Sequence, residues 1–155
     1  VQNKMHWAIT GQTAAEIIKL RANAEKPNMG LTSWKNAPKG KILKSDVVIA
    51  KNYLRESEIK NLERIVTMYL DFAELQAERQ IPMKMSDWVV RLDAFLQFND
   101  YEILQDAGKV SAAVAKQLAE AEYKKFAPIQ DRNYISDFDR KVEQIQQKIK
   151  ERGKD

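Results

Sequence analysis

The chain of 155 residues contains 44% hydrophobic and 31% charged residues, carries a formal net charge of +4 and has no cysteine. This length suits one domain, and the apolar content is too high for a disordered chain. The cysteine count excludes disulfides, thiolate nucleophiles and cysteine-based metal sites, and the small charge excess does not by itself indicate a nucleic-acid binder.

No apolar run approaches the ~20 residues that a membrane span requires, so no membrane partner is expected. The N-terminal residues 1–4 contain neither an initiator methionine nor the apolar region of a signal peptide. We therefore expect a segment of a longer protein that works in a reducing compartment.

The first predicted helix begins after Thr13, which stands three residues before Glu16 in the spacing of a capping box. Residues 14–24 are rich in helix formers, and Pro27 and Gly30 end the helix.

A long irregular loop is predicted over residues 25–44, which contain two prolines and two glycines. Leu31 and Trp34 are apolar and are expected to fix this loop to the core. Loops of this length in compact domains often carry function.

Further helices are predicted where a capping residue precedes apolar positions three and four residues apart. They are a short helix over 47–54 after Ser45-Asp46, the longest helix over 58–80 after Ser57, a helix after Ser86-Asp87, a short piece from Asn99 or Asp100 to Leu104 closed by Gly108, a helix from Ser111 to Pro128, and a last helix from Ser136 or Asp137. The fold class is therefore all-α, a single compact multi-helix domain of about six helices with the loop near residues 25–44.

Buried stripes are predicted on these helices, with core packing as the role of their aromatic and methionine side chains. Their members are Ile59, Leu62, Val66, Met68, Tyr69, Leu70, Ala73, Trp88, Leu92, Phe95, Leu96, Phe98, Tyr101, Val114, Leu118, Ala121 and Phe126.

The last helix carries Phe138, Val142, Ile145 and Ile149 at spacings of four, three and four, as in a short heptad seam. Two heptads are too few for a free-standing coiled coil. The helix over 136–155 is therefore expected to pack on the domain or on a partner, and a homo-oligomer is one such partner.

His6 is the only histidine, and Glu16 or Asp46 could orient it as a general base. The alternative is a structural or binding role, because the partners of the known catalytic histidine arrangements are not evident. His6 and Glu16 are the catalytic candidates.

Three further groups of polar residues could carry chemistry, each beside an ordinary alternative. Asp71, Glu74 and Glu78 share one side of a helix and could hold Mg²⁺, but a solvated face is favoured, and neither a metal nor a cofactor is predicted. Thr10, Gln12 and Thr13 could present N–H groups to an anion, and with Asn28 and Trp34 they are candidates for a polar site. Lys35, Lys39, Lys41, Lys44 and Lys51 could contact nucleic-acid phosphates or could simply be solvated.

The segment Asn28-Met29-Gly30-Leu31-Thr32-Ser33-Trp34 resembles a signature of the RhuM family of virulence-associated bacterial proteins. Further matching stretches are residues 3–16, 26–35, 50–54, 65–74, 87–88, 92–96, 108–111 and 121–126. The resemblance covers about residues 1–127 and is weaker after Pro128.

The resemblance implies a bacterial protein, often encoded in pathogenicity islands or other mobile regions. Full-length relatives carry an N-terminal part similar to a DNA-binding module, so DNA is a possible partner through the full-length protein. Some relatives are associated with Fic/Doc modules, but the Fic His-Pro-Phe motif does not occur here, and the family brings no catalytic residues. The resemblance implies a location in the bacterial cytoplasm and leaves secretion as an effector open.

Two functions are consistent with these observations. We favour a non-enzymatic helical domain for oligomerisation or partner contacts, with residues 1–135 as the family domain and 136–155 as the helix that packs on it or on a partner. The alternative is a toxin-like or nuclease-like enzyme with a polar site around His6, Glu16 and the 28–35 loop.

Overall fold

A computed structural model describes residues 1–152, and all regular secondary structure in that range is helical. The α-helices are α1 (Gln2–Thr10), α2 (Ala14–Arg21), α3 (Glu56–Glu78), α4 (Met85–Phe98), α5 (Ala112–Asn133) and α6 (Asp137–Arg152). Two 3-10 turns, Pro27–Gly30 and Ala50–Tyr53, lie in the connection between α2 and α3. The predicted all-α fold is confirmed.

Three predicted helix starts are confirmed by their caps. The Thr13 hydroxyl accepts the Glu16 N–H, and the Glu16 carboxylate accepts the Thr13 N–H at 2.9 Å, as a capping box requires. The Ser111 hydroxyl accepts an N–H from the first turn of α5. Ser136 likewise accepts the Asp139 N–H at 3.1 Å.

The sequence does not predict α1, because Val1 offers no side-chain cap and the helix has no strong apolar stripe. Its burial comes from tertiary structure, since Met5 and His6 are buried and α1 lies against α3. His6 therefore lies inside a helix. The sequence had indicated a position ahead of the first helix.

The predicted starts of α3 and α4 are wrong by two or three residues, because acidic side chains within the first turn supply the caps. Glu58 accepts the Arg55 N–H at 2.8 Å, and Asp87 accepts the Lys84 N–H at 2.8 Å. Ser57 and Ser86 therefore lie inside these helices.

Two predicted short helices do not form. Residues 47–54 are turns followed by a single 3-10 turn, because both carboxylate oxygens of Asp46 accept loop N–H groups instead of capping a helix. Residues 101–105 have no regular structure, and Lys4 Nζ donates to the Leu104 carbonyl, which fixes this segment to α1. Gly108 has a φ of +84°, but no helix ends at this residue.

Helix α5 continues through Pro128 to Asn133, although the proline was predicted to end it. Side chains after the proline are held by the loop, since Gln130 binds the Ile42 backbone and Asp131 pairs with Lys41. These contacts offset the loss of the backbone hydrogen bond that a proline removes from a helix.

The buried residues form two clusters. The larger one lies among α2, the long loop and α5, and the smaller one holds α1, α3 and α4 together through Met5, Ile65, Tyr69, Leu92 and Leu96. Leu62 packs against both clusters.

Not every residue on the predicted stripes is buried. Phe98 is 87% exposed, and Met68, Leu70, Val114 and Ala121 are also exposed. Burial falls instead on Ala115 and Ala119 of α5, because these small side chains allow α5 to approach α2 closely.

The two clusters are also joined by an ion pair between α2 and α3. Arg21 binds Glu58 through both terminal guanidinium nitrogens at 2.7 and 2.9 Å and donates to the Tyr53 carbonyl at 2.9 Å. This pair holds the start of α3 on α2. Among residues 1–152, no helix is long and apolar enough to cross a membrane.

Candidate functional site

A cavity of about 550 Å³ opens between the long loop and the C-terminal end of α5. We call it the loop groove. Its lining includes the aromatic side chains Trp34, Phe126 and Tyr134 and the cations Lys26, Lys39 and Arg140. A cavity of this size lies within the range of small-molecule sites.

One wall of the loop groove is fixed by a side-chain amide that pairs with the loop backbone. Gln130 of α5 accepts the Ile42 N–H at 2.7 Å and donates to the Ile42 carbonyl at 3.1 Å. The Tyr123 hydroxyl donates to the same carbonyl, and Lys41 pairs with Asp131 at 2.8 Å. The loop and the end of α5 therefore form one continuous surface.

Trp34 has a fixed orientation in the groove. Its Nε1–H donates to the Gly40 carbonyl at 2.7 Å, which closes the segment between the two residues into a compact turn. A Cβ at Gly40 would clash with Asn36, so glycine is required at this turn. The indole ring is half-buried and packs against the larger core.

Residues 28 and 29 of the loop adopt an unusual backbone conformation. Asn28 and Met29 have positive φ values of 53° and 57°, and a Cβ on the following Gly30 would clash with the Arg21 carbonyl. Non-glycine residues in this region cost free energy and occur often at ligand sites. The Met29 side chain is buried, whereas Asn28 lines the groove.

His6 lies in a different cavity, of about 330 Å³, between α1 and α3. It is 2% exposed, its Nδ1 has no hydrogen-bond partner within the described chain, and burial lowers its pKa. Lys51 lines the same cavity.

Glu16 lines a third cavity, of about 320 Å³, together with Gln12. Its carboxylate accepts the backbone N–H groups of Lys109, at 2.7 Å, and Thr13, and these hydrogen bonds lower its pKa. Thr10 accepts the Gln12 N–H and donates to a carbonyl of α1. His6, Glu16 and the 28–35 loop thus line three separate cavities.

The five lysines predicted to contact nucleic acid are also dispersed. Lys41 pairs with Asp131, which raises the pKa of its ammonium group, and Lys44 lies 3.3 Å from Glu120. Lys39 lines the loop groove, and the side chain of Lys35 is exposed. Nucleic-acid contact by this set stays a prediction.

Asp71, Glu74 and Glu78 are all exposed on α3. Within residues 1–152, no group of three acidic or histidine side chains is placed to hold a metal ion.

The seam of α6 is largely uncovered. Phe138, Ile145 and Ile149 are 74%, 56% and 64% exposed, and Val142 is half-buried. Residues 153–155 of the predicted last helix lie outside the described residues.

Sequence reasoning missed the residues that make the loop groove a site. Tyr134 and Arg140 reach it because α5 continues past Pro128, whereas the sequence predicted that the helix ends at that proline. Lys26 lies within the predicted loop, and its charge and proximity to Pro27 were the available signals.

The fold and its cavities define a helical domain with a lined groove and an uncovered C-terminal helix. Residues 1–135 match the sequence model of the Virulence protein RhuM family. Because this match spans most of the 155 residues, the chain belongs to that family, as its sequence resemblance predicted. No curated protein and no solved structure matches the chain. Helix α6 follows the matched part.

Proposed function

We propose that this RhuM-family chain is a helical interaction domain that associates with a second copy of itself through α6. The observation that carries the proposal is the uncovered seam of α6, whose three largest apolar side chains are each more than half exposed. Contiguous exposed apolar side chains on a helix are typical of an interaction surface.

The composition of α6 supports a partner. Most helical stability in proteins comes from burying an apolar face against other structure. Helix α6 has 16 residues, with a charged or polar side chain at nearly every position outside the seam. Pairing of two seams would bury the same four positions in both copies.

The charges beside the seam favour a second copy in parallel orientation. With Val142 and Ile149 at heptad position a, Asp139 and Gln146 occupy position e, and Lys141 and Lys148 occupy position g. An antiparallel pair would place Lys141 opposite Lys148 of the other copy, whereas a parallel pair places each Lys141 near an uncharged Gln146.

A parallel pair relates the two copies by a two-fold axis. In a full-length protein with a DNA-binding part, as the family resemblance implies, such a pair would present two DNA-binding parts together. Dimers of this kind bind paired half-sites, which raises both affinity and specificity.

The experiment is light scattering coupled to size-exclusion chromatography on the chain and on two variants. We expect twice the mass of one chain for the parent, the mass of one chain for Ile145→Asp, and an unchanged dimer for Gln147→Asp. The last variant adds the same charge on the opposite side of α6. A parent chain that elutes as a monomer at all concentrations would remove the proposal.

Orientation is tested by a cysteine, since the chain has none of its own. In a parallel pair, residue 149 of one copy lies beside residue 149 of the other, and Ile149→Cys forms a disulfide on oxidation. In an antiparallel pair residue 149 lies beside residue 138, and the two cysteines are about 16 Å apart, too far for a bond.

A further inference from the structure

We infer that the loop groove binds a nucleotide unit, with the base against its aromatic side chains and the phosphate against its cations. This inference does not require α6 pairing, because Arg140, the one lining residue on α6, is not part of the seam.

The charge of the lining favours an anion. Lys26, Lys39 and Arg140 face the cavity, and Glu25 is the one carboxylate among its described lining residues. The carboxylate of Asp137 lies 3.4 Å from Arg140, but Asp137 is 84% exposed, and a surface pair of this kind contributes little. The groove therefore carries an excess of positive charge.

The aromatic lining favours a flat ligand over a bare anion. Trp34 is fixed by its hydrogen bond to the Gly40 carbonyl, and Lys41 Nζ lies 4.9 Å from the centroid of the Tyr134 ring. Both rings are partly exposed. Stacking on such rings binds any base, because every base has a π-face.

The amide side chains in the lining can add selectivity. Asn28 and Asn133 both line the groove, and amides can pair with the edge of a base. Asn28 lies at the groove in a left-handed backbone conformation, which few non-glycine residues adopt. Cations, aromatic rings and amides together match the parts of a nucleotide.

The chemistry is shared by a free nucleotide and by one unit of a single strand, so the probes must separate these sources. We would titrate the whole chain with AMP, with a short oligothymidylate and with inorganic phosphate, and follow binding by calorimetry. Comparable affinity for AMP and the oligonucleotide assigns the site to free nucleotides. Much tighter, strongly salt-dependent binding of the oligonucleotide assigns it to a strand.

Variants locate the site. Lys39→Gln and Arg140→Gln should each weaken AMP or oligonucleotide binding by about tenfold, the effect of losing one charged hydrogen bond. Lys116→Gln removes the same charge from an exposed position of α5 outside the groove and should bind as the parent does.

Tryptophan fluorescence supplies a second readout. Ligand-induced quenching should be present in the parent and lost in Trp34→Phe, which keeps Trp7 and Trp88. Inorganic phosphate that binds as tightly as AMP, no binding of any probe, or equal weakening by Lys116→Gln would each overturn the inference.

Discussion

The Arg21–Glu58 pair should couple the two cores with about 2 kcal/mol of interaction free energy. The side chains are only 19% and 16% exposed, and their two charged hydrogen bonds measure 2.7 and 2.9 Å. Hydrogen bonds to charged groups contribute ~1.5–3 kcal/mol each, and holding two long side chains in place offsets part of that sum. We would measure urea unfolding of Arg21→Met, Glu58→Gln and the double variant at pH 7.

A matched pair on α3 controls for distance. Lys60 Nζ lies 2.7 Å from Glu56, the same separation as in the Arg21 pair, but the two side chains are 65% and 83% exposed. Because solvent screens such a pair, its cycle should yield below about 0.5 kcal/mol. Equal coupling in both cycles would refute the reasoning that burial and bidentate geometry make the Arg21 pair strong.

The coupling should also depend on pH. The side-chain hydrogen bond from Arg21 lowers the pKa of Glu58 below its ordinary value of 4.5. The stabilisation is therefore fully present above the unfolded pKa and is lost as the pH falls through the folded pKa. A coupling free energy that does not decrease when the pH is lowered below 4 would contradict this assignment.

Three further predictions concern single positions. Gly108→Ala should destabilise the fold by about 1–3 kcal/mol in thermal unfolding, because its φ is +84° and the new Cβ would lie 2.6 Å from the residue that caps α2; Gly11→Ala, with open space around it, should lose less. Leu92→Ala should cost about 2–5 kcal/mol, whereas Phe98→Ala, at an exposed position, should change the free energy of unfolding by less than about 0.5 kcal/mol; similar losses would contradict the burial pattern. An NMR titration of His6 should give a pKa below 6.5, so that stability falls as the pH drops through the unfolded value, and a raised pKa would show an unrecognised anionic partner.

The sequence predicted the parts of the fold in which local signals and burial agree. The Thr13–Glu16 capping box and the serine caps of α5 and α6 are local chemistry, and each is present as predicted. The sequence could not predict α1, whose stability depends on contacts with α3, a helix that begins only at Glu56. The sequence also assigned Phe98 to the core, because the spacing of apolar residues does not reveal where a helix extends beyond the helix it packs on.

The site was less predictable than the fold. Trp34, Asn28 and Lys39 were recognised as candidates, since they stand in a long loop with polar and aromatic residues. Their partners on the far wall depend on α5 continuing past Pro128, which local rules argue against. The sequence indicated Glu16 as an acid that could orient His6. Its hydrogen bond to the Lys109 N–H could not be predicted from the sequence.

The hairpin of α3 and α4 extends well beyond the small core that holds it. Tyr69 and Leu92 are buried, but every residue from 77 to 82 at the tip is exposed. Exposed tips without buried contacts tolerate added chain better than the rest of a domain. A fluorescent tag or a foreign peptide inserted here should leave both the loop groove and α6 undisturbed, which makes this the natural place to attach a probe for studies in cells.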